Sequence, residues 1–365
     1  MDSWLFLLLL ISTPVFTVLI HLNSPNLSNQ PRLQSSPNQH TLPAQDSITN
    51  KVKITIQPGK DESVGGVQAR KATGTSLATS LGVSSESWLG QPFSSVKLGH
   101  ARIAGSGSKA NAYWVRDEES KQMIVVKHYK KSEAVSRKFD KESILNELSC
   151  LRAVPPHPNL CQFYGAEETR QSIYFYLEDC GRRKLDEYIN NSKMRMSETW
   201  TRMISVQILQ AMEALHKLNM YHNDLSNKNI LISDFLKVKV IDFGNMASNN
   251  SVQVITTNVL SAFSSYERLL HLETTPEAED VWSLGVNIFY LFFKQYPFGM
   301  APKQFFEESR ANLAENFIPD YPTASQSSPP PSPLLLDLFA KIFRLYQDRI
   351  TMDELIKHKW FKLSV

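Results

Sequence analysis

From about residue 96 the chain changes texture twice, and the order of those changes restricts the folds open to it. Short runs of β-branched and aromatic residues come first, at Ala112-Tyr-Trp-Val115, Met123-Ile-Val-Val126 and Ile173-Tyr-Phe-Tyr-Leu177. One helical stretch, spanning 135–153, interrupts them. After residue 184 helical periodicity dominates: Ile204, Ile208, Met212 and Leu215 recur at three- and four-residue steps and form one apolar face. Strands followed by helices predict an α+β domain with segregated parts. Pro319, Pro322 and the run Pro329-Pro330-Pro331 predict a surface loop between two late helices.

The chain ahead of residue 96 reads differently. Trp4 to Ile20 is an uncharged run of 17 residues, at the lower limit of about 17 for a membrane-spanning helix. The start, Met1-Asp2-Ser3, carries an acid and no side-chain base, and no small-residue cleavage site follows. Residues 1–21 therefore read as an uncleaved anchor, with a cleaved signal peptide as the alternative. The nearest basic residues, Arg32, Lys51 and Lys53, lie downstream. Positive charge favours the cytosolic side, so a single-pass protein with its bulk in the cytosol is expected, on an endomembrane or elsewhere. Sequons at Asn26, Asn190 and Asn249 point weakly the other way. Residues 22–95 are rich in Ser, Asn, Gln, Pro and Thr and read as a disordered polar linker. Within it, Lys51-Val-Lys-Ile-Thr-Ile-Gln57 alternates as a lone strand would.

Composition narrows the chemistry. A net charge of +3, with Lys and Arg scattered, demands no nucleic-acid partner. The three cysteines, Cys150, Cys161 and Cys180, lack metal-type spacing and read as reduced, packed thiols. The informative segment is Tyr221-His-Asn-Asp-Leu-Ser-Asn-Lys-Asn-Ile-Leu231, followed by Val240-Ile-Asp-Phe-Gly244. It sets two acids and an amide on two loops flanked by apolar runs. Asp242 and Asn229 offer hard oxygen ligands of the kind Mg²⁺ takes. Asp224 is placed to accept a proton from an incoming hydroxyl or to hold it in line. Phosphoryl transfer asks for little more than such positioning and charge neutralisation.

In these two loops the chain resembles the eukaryotic protein kinases, whose catalytic and metal loops share this order and separation. The resemblance covers about residues 97–363 and implies a bilobal fold over 96–363. A β-rich N-lobe with one helix (96–180) would sit on a helical C-lobe (181–363), with ATP and Mg²⁺ between them and a protein as phosphate acceptor. It implies a phosphate-covering loop at Gly105-Ser106-Gly107, with Ala110 where a third glycine is usual. Lys127 would hold the α- and β-phosphates, paired with Glu147 or, failing that, Glu142. Ala112 and Val125 would pack on the adenine, with Leu231 beneath it, Leu177 as gatekeeper, and the backbone of Glu178 and Cys180 at its edge. The family has the larger side chain at 112 and the smaller at 125, so volume has moved from one wall to the other. Asp224, Lys127 and Asn229 would be the catalytic set, and Asn229 and Asp242 the metal ligands. Asp280 would anchor the catalytic loop, and Glu267 would pair with Arg349.

A local stretch, Ala166 to Cys180, is similar to the inositol-requiring unfolded-protein sensor kinases, with Leu185-Asp-Glu-Tyr-Ile189 continuing it. Two positions depart from the family pattern. Asn223 replaces an arginine that usually meets a phosphorylated activation segment, which puts switching through Thr256, Thr257 or Ser261 in doubt. Ser226 replaces a lysine that neutralises the transferring phosphate, so a slow chemical step is expected. An active Ser/Thr kinase and a nucleotide-binding or scaffolding pseudokinase both remain open at this point, and Ser/Thr preference rests on the family's majority.

Overall fold

The computed structural model describes residues 87–90, 101–107, 109–117, 120–136, 141–191, 196–233, 235–255, 261–309, 318–319, 321 and 330–363. The expected membrane segment 1–21, the strand-like piece at 51–57, Thr256 and Thr257 lie outside these residues, as does most of the 22–95 linker. Among the described residues, no helix is long and apolar enough to cross a membrane.

The predicted β-runs become strands of one antiparallel sheet. β1 (Arg102–Ser106), β2 (Asn111–Arg116), β3 (Met123–Lys130), β4 (Phe163–Glu168) and β5 (Ser172–Glu178) pair in the order β1-β2-β3-β5-β4. Side chains alternate between faces along a strand. On β3, Ile124 and Val126 therefore turn to one side, where they pack with Val115, Tyr174 and Tyr176. Val125 and Lys127 turn to the other side, which faces the cleft. Register places Ala112 of β2 and Phe175 of β5 on either side of Lys127.

Around the helix expected over 135–153, helical turns are described at α1 (Lys131–Ser136), directly after β3, and at α2 (Lys141–Ala153). Ile144, Glu147, Leu148 and Leu151 form the buried stripe of α2. A glutamate within an apolar stripe needs a partner, since an unpaired buried charge is costly.

The C-lobe begins with β6 (Arg183–Lys184), α3 (Leu185–Asn191) and α4 (Glu198–His216). The Ile204, Ile208, Met212 and Leu215 face of α4 is fully buried, as its periodicity predicts. Ser197 caps the helix by accepting from the Trp200 N–H. β7 (Ile230–Ile232) and β8 (Val238–Val240) complete a small sheet with β6. Further on come β9 (Gln253–Val254), α5 (Tyr266–Leu269), β10 (Glu273–Thr274), α6 (Pro276–Phe293), α7 (Pro302–Ser309), α8 (Pro333–Ile342), α9 (Met352–Lys357) and α10 (Lys359–Lys362).

α6 is the core of this lobe. Every residue of it but Glu277 is buried, the polar Glu279, Asp280, Ser283 and Asn287 among them. Thr275 caps it, and Pro276 occupies the first turn, where a missing N–H costs nothing. Gly285 lets α8 approach: a Cβ there would lie 2.4 Å from Ile342 Cγ2.

Four residues inside the expected linker are ordered against the N-lobe. Ser87, Trp88 and Leu89 contact Glu168 and Lys131. The physical cause is a buried carboxylate that recruits backbone donors.

Candidate active site

The small C-lobe sheet positions the two reactive loops. Asn229 directly precedes β7 and Asp242 follows β8, and the Ile241 N–H donates to the Asn229 carbonyl at 2.9 Å. A second tie joins the loops further along: Tyr221 and Ala247 exchange both backbone bonds, each at 2.9 Å. Asp280, fully buried at the N-terminal end of α6, accepts from the N–H groups of His222 (2.8 Å) and Asn223 (2.7 Å). His216 Nε2 lies 2.8 Å from the same carboxylate. Asp280 thus anchors the catalytic loop, as expected, and supports the left-handed backbone of Asn223 at φ 63°.

From above, β3 presents Lys127. Its ammonium lies 2.6 Å from Glu147 and 3.0 Å from Asp242. Glu147 supplies the partner, while Glu142 is exposed on the same helix. Burial works against the charge of Lys127, but the Asp242 and Glu147 carboxylates outweigh it and hold its pKa well above the ordinary value. The Lys127 charge in turn lowers the pKa of Asp242 against the effect of its own burial. Asp242 has a left-handed backbone, φ 66°, which turns its carboxylate to the cleft while Phe243 is fully buried. Gly244 allows this packing, since a Cβ there would sit 3.3 Å from Glu147 Oε2.

Asn229 donates its amide to Asp224 twice, at 2.9 Å to the carbonyl and 3.3 Å to Oδ2. Asn245 Nδ2 also reaches Oδ2, at 3.1 Å. With its NH₂ committed to Asp224, Asn229 keeps an amide oxygen for a cation, and Asp242 adds a carboxylate. This is an all-oxygen donor pair of the kind a hard divalent ion takes, so Mg²⁺ fits these residues. Burial, helped by the nearby Asp242 charge, raises the pKa of Asp224 over the opposing pull of His222, Asn245 and Arg268.

A cleft of about 270 Å³ opens between the lobes. Every residue expected to touch the nucleotide lines it: Gly105, Ser106, Gly107, Ala112, Val125, Lys127, Glu147, Glu178, Cys180 and Leu231, together with Leu177, Asn229 and Asp242. Ala112 and Val125 therefore face the same space. Asp224 borders a separate small recess with Ser261, Phe263 and Arg268. Glu178 is fixed by its side chain, which accepts from Lys239 (2.7 Å) and the Gln162 N–H (3.1 Å). Its own N–H is spent on the Gln162 carbonyl, at 2.9 Å. Its carbonyl accepts a weak contact from Cys161 Sγ at 3.7 Å. The three thiols are free, as expected.

The sequence reading missed two cations. Arg268 is buried, and its Nη1 donates to the Asn223 carbonyl at 2.8 Å, so a guanidinium stands beside the catalytic loop although residue 223 is not arginine. Lys228 lines the cleft next to Asn229 and brings a positive charge to it. Substituting Lys228→Ala should lower kcat by roughly tenfold to a hundredfold while the KM for ATP changes little, if this charge acts mainly in the transition state. Steady-state kinetics with varied ATP checks this.

The expected scaffold ion pair is also present: Arg349 Nη2 lies 3.0 and 2.8 Å from the two Glu267 oxygens. The family profile of the protein kinase domain matches residues 99–361. The chain is 30% identical over 264 residues to the serine/threonine-protein kinase SRK2C of Arabidopsis thaliana, covering 70% of this chain and 73% of that one. It is similarly 30% identical over 270 residues to the serine/threonine-protein kinase SAPK9 of Oryza sativa subsp. japonica, covering 72% and 70%. CBL-interacting protein kinase 33 of the same rice is 27% identical over 266 residues, and this chain spans 56% of its length; it spans 17% of calcium-dependent protein kinase 6 of Plasmodium berghei. With Lys127, Glu147, Asn229 and Asp242 lining one interlobe cleft, Asp224 hydrogen-bonded to Asn229 beside it, and a family profile covering most of the sequence, the chain belongs to the protein kinase family.

Proposed function

We propose that the chain transfers the γ-phosphate of ATP to Ser/Thr hydroxyls of protein substrates, while tethered to a membrane with its kinase domain in the cytosol. The observation that carries the reading is the connected set Glu147–Lys127–Asp242, with Asn229 joined to Asp224 below it. Lys127 is held charged and aimed into the cleft to meet phosphate oxygens. Asp224 orients the acceptor hydroxyl and takes its proton. Asn229 and Asp242 would hold Mg²⁺, which when bound neutralises charge on the phosphates. Lys228 and Arg268 supply positive charge near the position where Ser226 and Asn223 lack it.

Serine and threonine are favoured as acceptors by the likeness to the serine/threonine-protein kinases SRK2C and SAPK9. Phospho-amino-acid analysis of a generic protein substrate labelled from [γ-³²P]ATP tests this. Phosphoserine and phosphothreonine are expected, and phosphotyrosine alone would contradict it. The tether rests on the uncharged run Trp4 to Ile20. In sealed membranes, external protease is expected to digest the kinase domain; a protected domain would place it in the lumen.

A further inference from the structure

We propose that Ser87-Trp88-Leu89 is an in-cis latch, by which the N-terminal extension docks on a carboxylate socket built into the N-lobe. The socket is Glu168, the last residue of β4, with Lys131, the first residue of α1. Both are buried, at 2% and 4% exposure, which is unusual for charged residues unless they are fully partnered. The Lys131 ammonium bonds one carboxylate oxygen. The extension supplies three more donors: Ser87 Oγ to Oε2 at 2.6 Å, the Trp88 N–H to Oε1 at 2.8 Å, and the Leu89 N–H to Oε2 at 2.8 Å.

Successive N–H groups turned toward one anion form a backbone nest. Here the anion is the domain's own side chain. The Trp88 ring adds a cation–π contact, with Lys131 Nζ 5.5 Å from its centroid, and Trp88 and Leu89 pack on the main apolar core. Gly90, at φ +69°, then turns the chain in a conformation that glycine adopts freely. Burial alone would raise the pKa of Glu168; the Lys131, Ser87, Trp88 and Leu89 donors outweigh it and hold the carboxyl below its ordinary value.

The seat is therefore incomplete without the extension. Undocking would remove three of the donors that hold the Glu168 carboxylate. The latch lies ahead of the matched region 99–361, so it is a feature of this chain's own extension. Its place in the fold also matters. Lys131 follows Lys127 by one short stretch of β3, and α1 leads toward α2, which carries Glu147. The latch thus pins the corner where the sheet passes to the helix that completes the active site.

The test is hydrogen exchange and thermal melting on the full-length chain, comparing the wild type with Trp88→Ala and Ser87→Ala. Amides of 87–90 are expected to exchange at least about tenfold more slowly than in an unstructured chain, and Trp88→Ala should abolish that protection and lower the melting temperature. Glu168→Gln serves as a second probe; if it does not fold, a synthetic peptide of residues 84–93 replaces it. Added at millimolar concentration to a chain with 87–90 deleted, the peptide should restore part of the lost melting temperature. Unprotected amides at 87–90 in the wild type would overturn the latch. So would protection that survives Trp88→Ala. None of these readouts depends on phosphate transfer, so the latch can fail while the kinase reading stands, and the reverse.

Discussion

Asp242→Asn is expected to reduce phosphate transfer by about 10³-fold or more, equivalent to ~4 kcal/mol of transition-state stabilisation. The substitution keeps the shape of the side chain and removes its charge. In the folded protein that charge lies 3.0 Å from Lys127 and is the only carboxylate in the proposed metal pair, because Asn229 contributes a neutral amide. A single neutral donor pair holds a hard divalent cation poorly. Two effects should therefore appear together. Transfer falls, and the dependence of ATP affinity on Mg²⁺ weakens. Lys127 still has Glu147 at 2.6 Å, so metal-free nucleotide binding should survive. Calorimetric titration of ATP at several Mg²⁺ concentrations, alongside the transfer assay, measures both. Transfer within tenfold of the wild type would remove Asp242 from the metal site.

The largest effect on stability is expected at Arg349. Its guanidinium is completely buried against Glu267, which is itself 2% exposed. It also donates to the carbonyls of Ala278 (2.9 Å) and Arg344 (2.7 Å) and stacks 4.7 Å from the Trp282 ring centroid. Arg349→Met would fill much of the volume but leave Glu267 as an uncompensated buried charge, with only the Tyr346 N–H as a strong donor at 2.7 Å. Breaking one side of a buried pair costs about 3–5 kcal/mol. For a domain of this size that corresponds to a fall in melting temperature of roughly 10 °C. The double substitution Arg349→Met with Glu267→Gln should recover part of the loss, since it removes the orphaned charge as well. A single-variant shift below about 2 °C would mean the pair is not buried in solution.

Much of the site could be read from the sequence because its residues are fixed by local spacing. Asp224, Asn229 and Asp242 lie on loops whose flanking apolar runs become β7 and β8, so two short strands suffice to bring them together. Glu147 was preferred to Glu142 as the partner of Lys127, and helical geometry explains why: residue 147 falls within the buried Ile144, Leu148 and Leu151 stripe, while 142 points to solvent. The volume exchange between 112 and 125 was likewise legible, because adjacent strands place both on the cleft face.

What escaped the sequence depends on long-range pairing. Arg268 meets the Asn223 carbonyl across 45 residues, and no local pattern marks it. The Trp88 N–H reaches Glu168 across 80 residues from a polar stretch with no helical or strand periodicity. A lone tryptophan in such a stretch gives no sign of whether it docks.

The most direct measurement is ATP binding and γ-phosphate transfer assayed side by side, with and without Mg²⁺, for the wild type and Asp224→Asn. A working site predicts Mg²⁺-dependent binding in both proteins and transfer to a protein acceptor in the wild type alone. Binding in the wild type with no transfer above the Asp224→Asn control would contradict it, and would leave the cleft a nucleotide-binding scaffold.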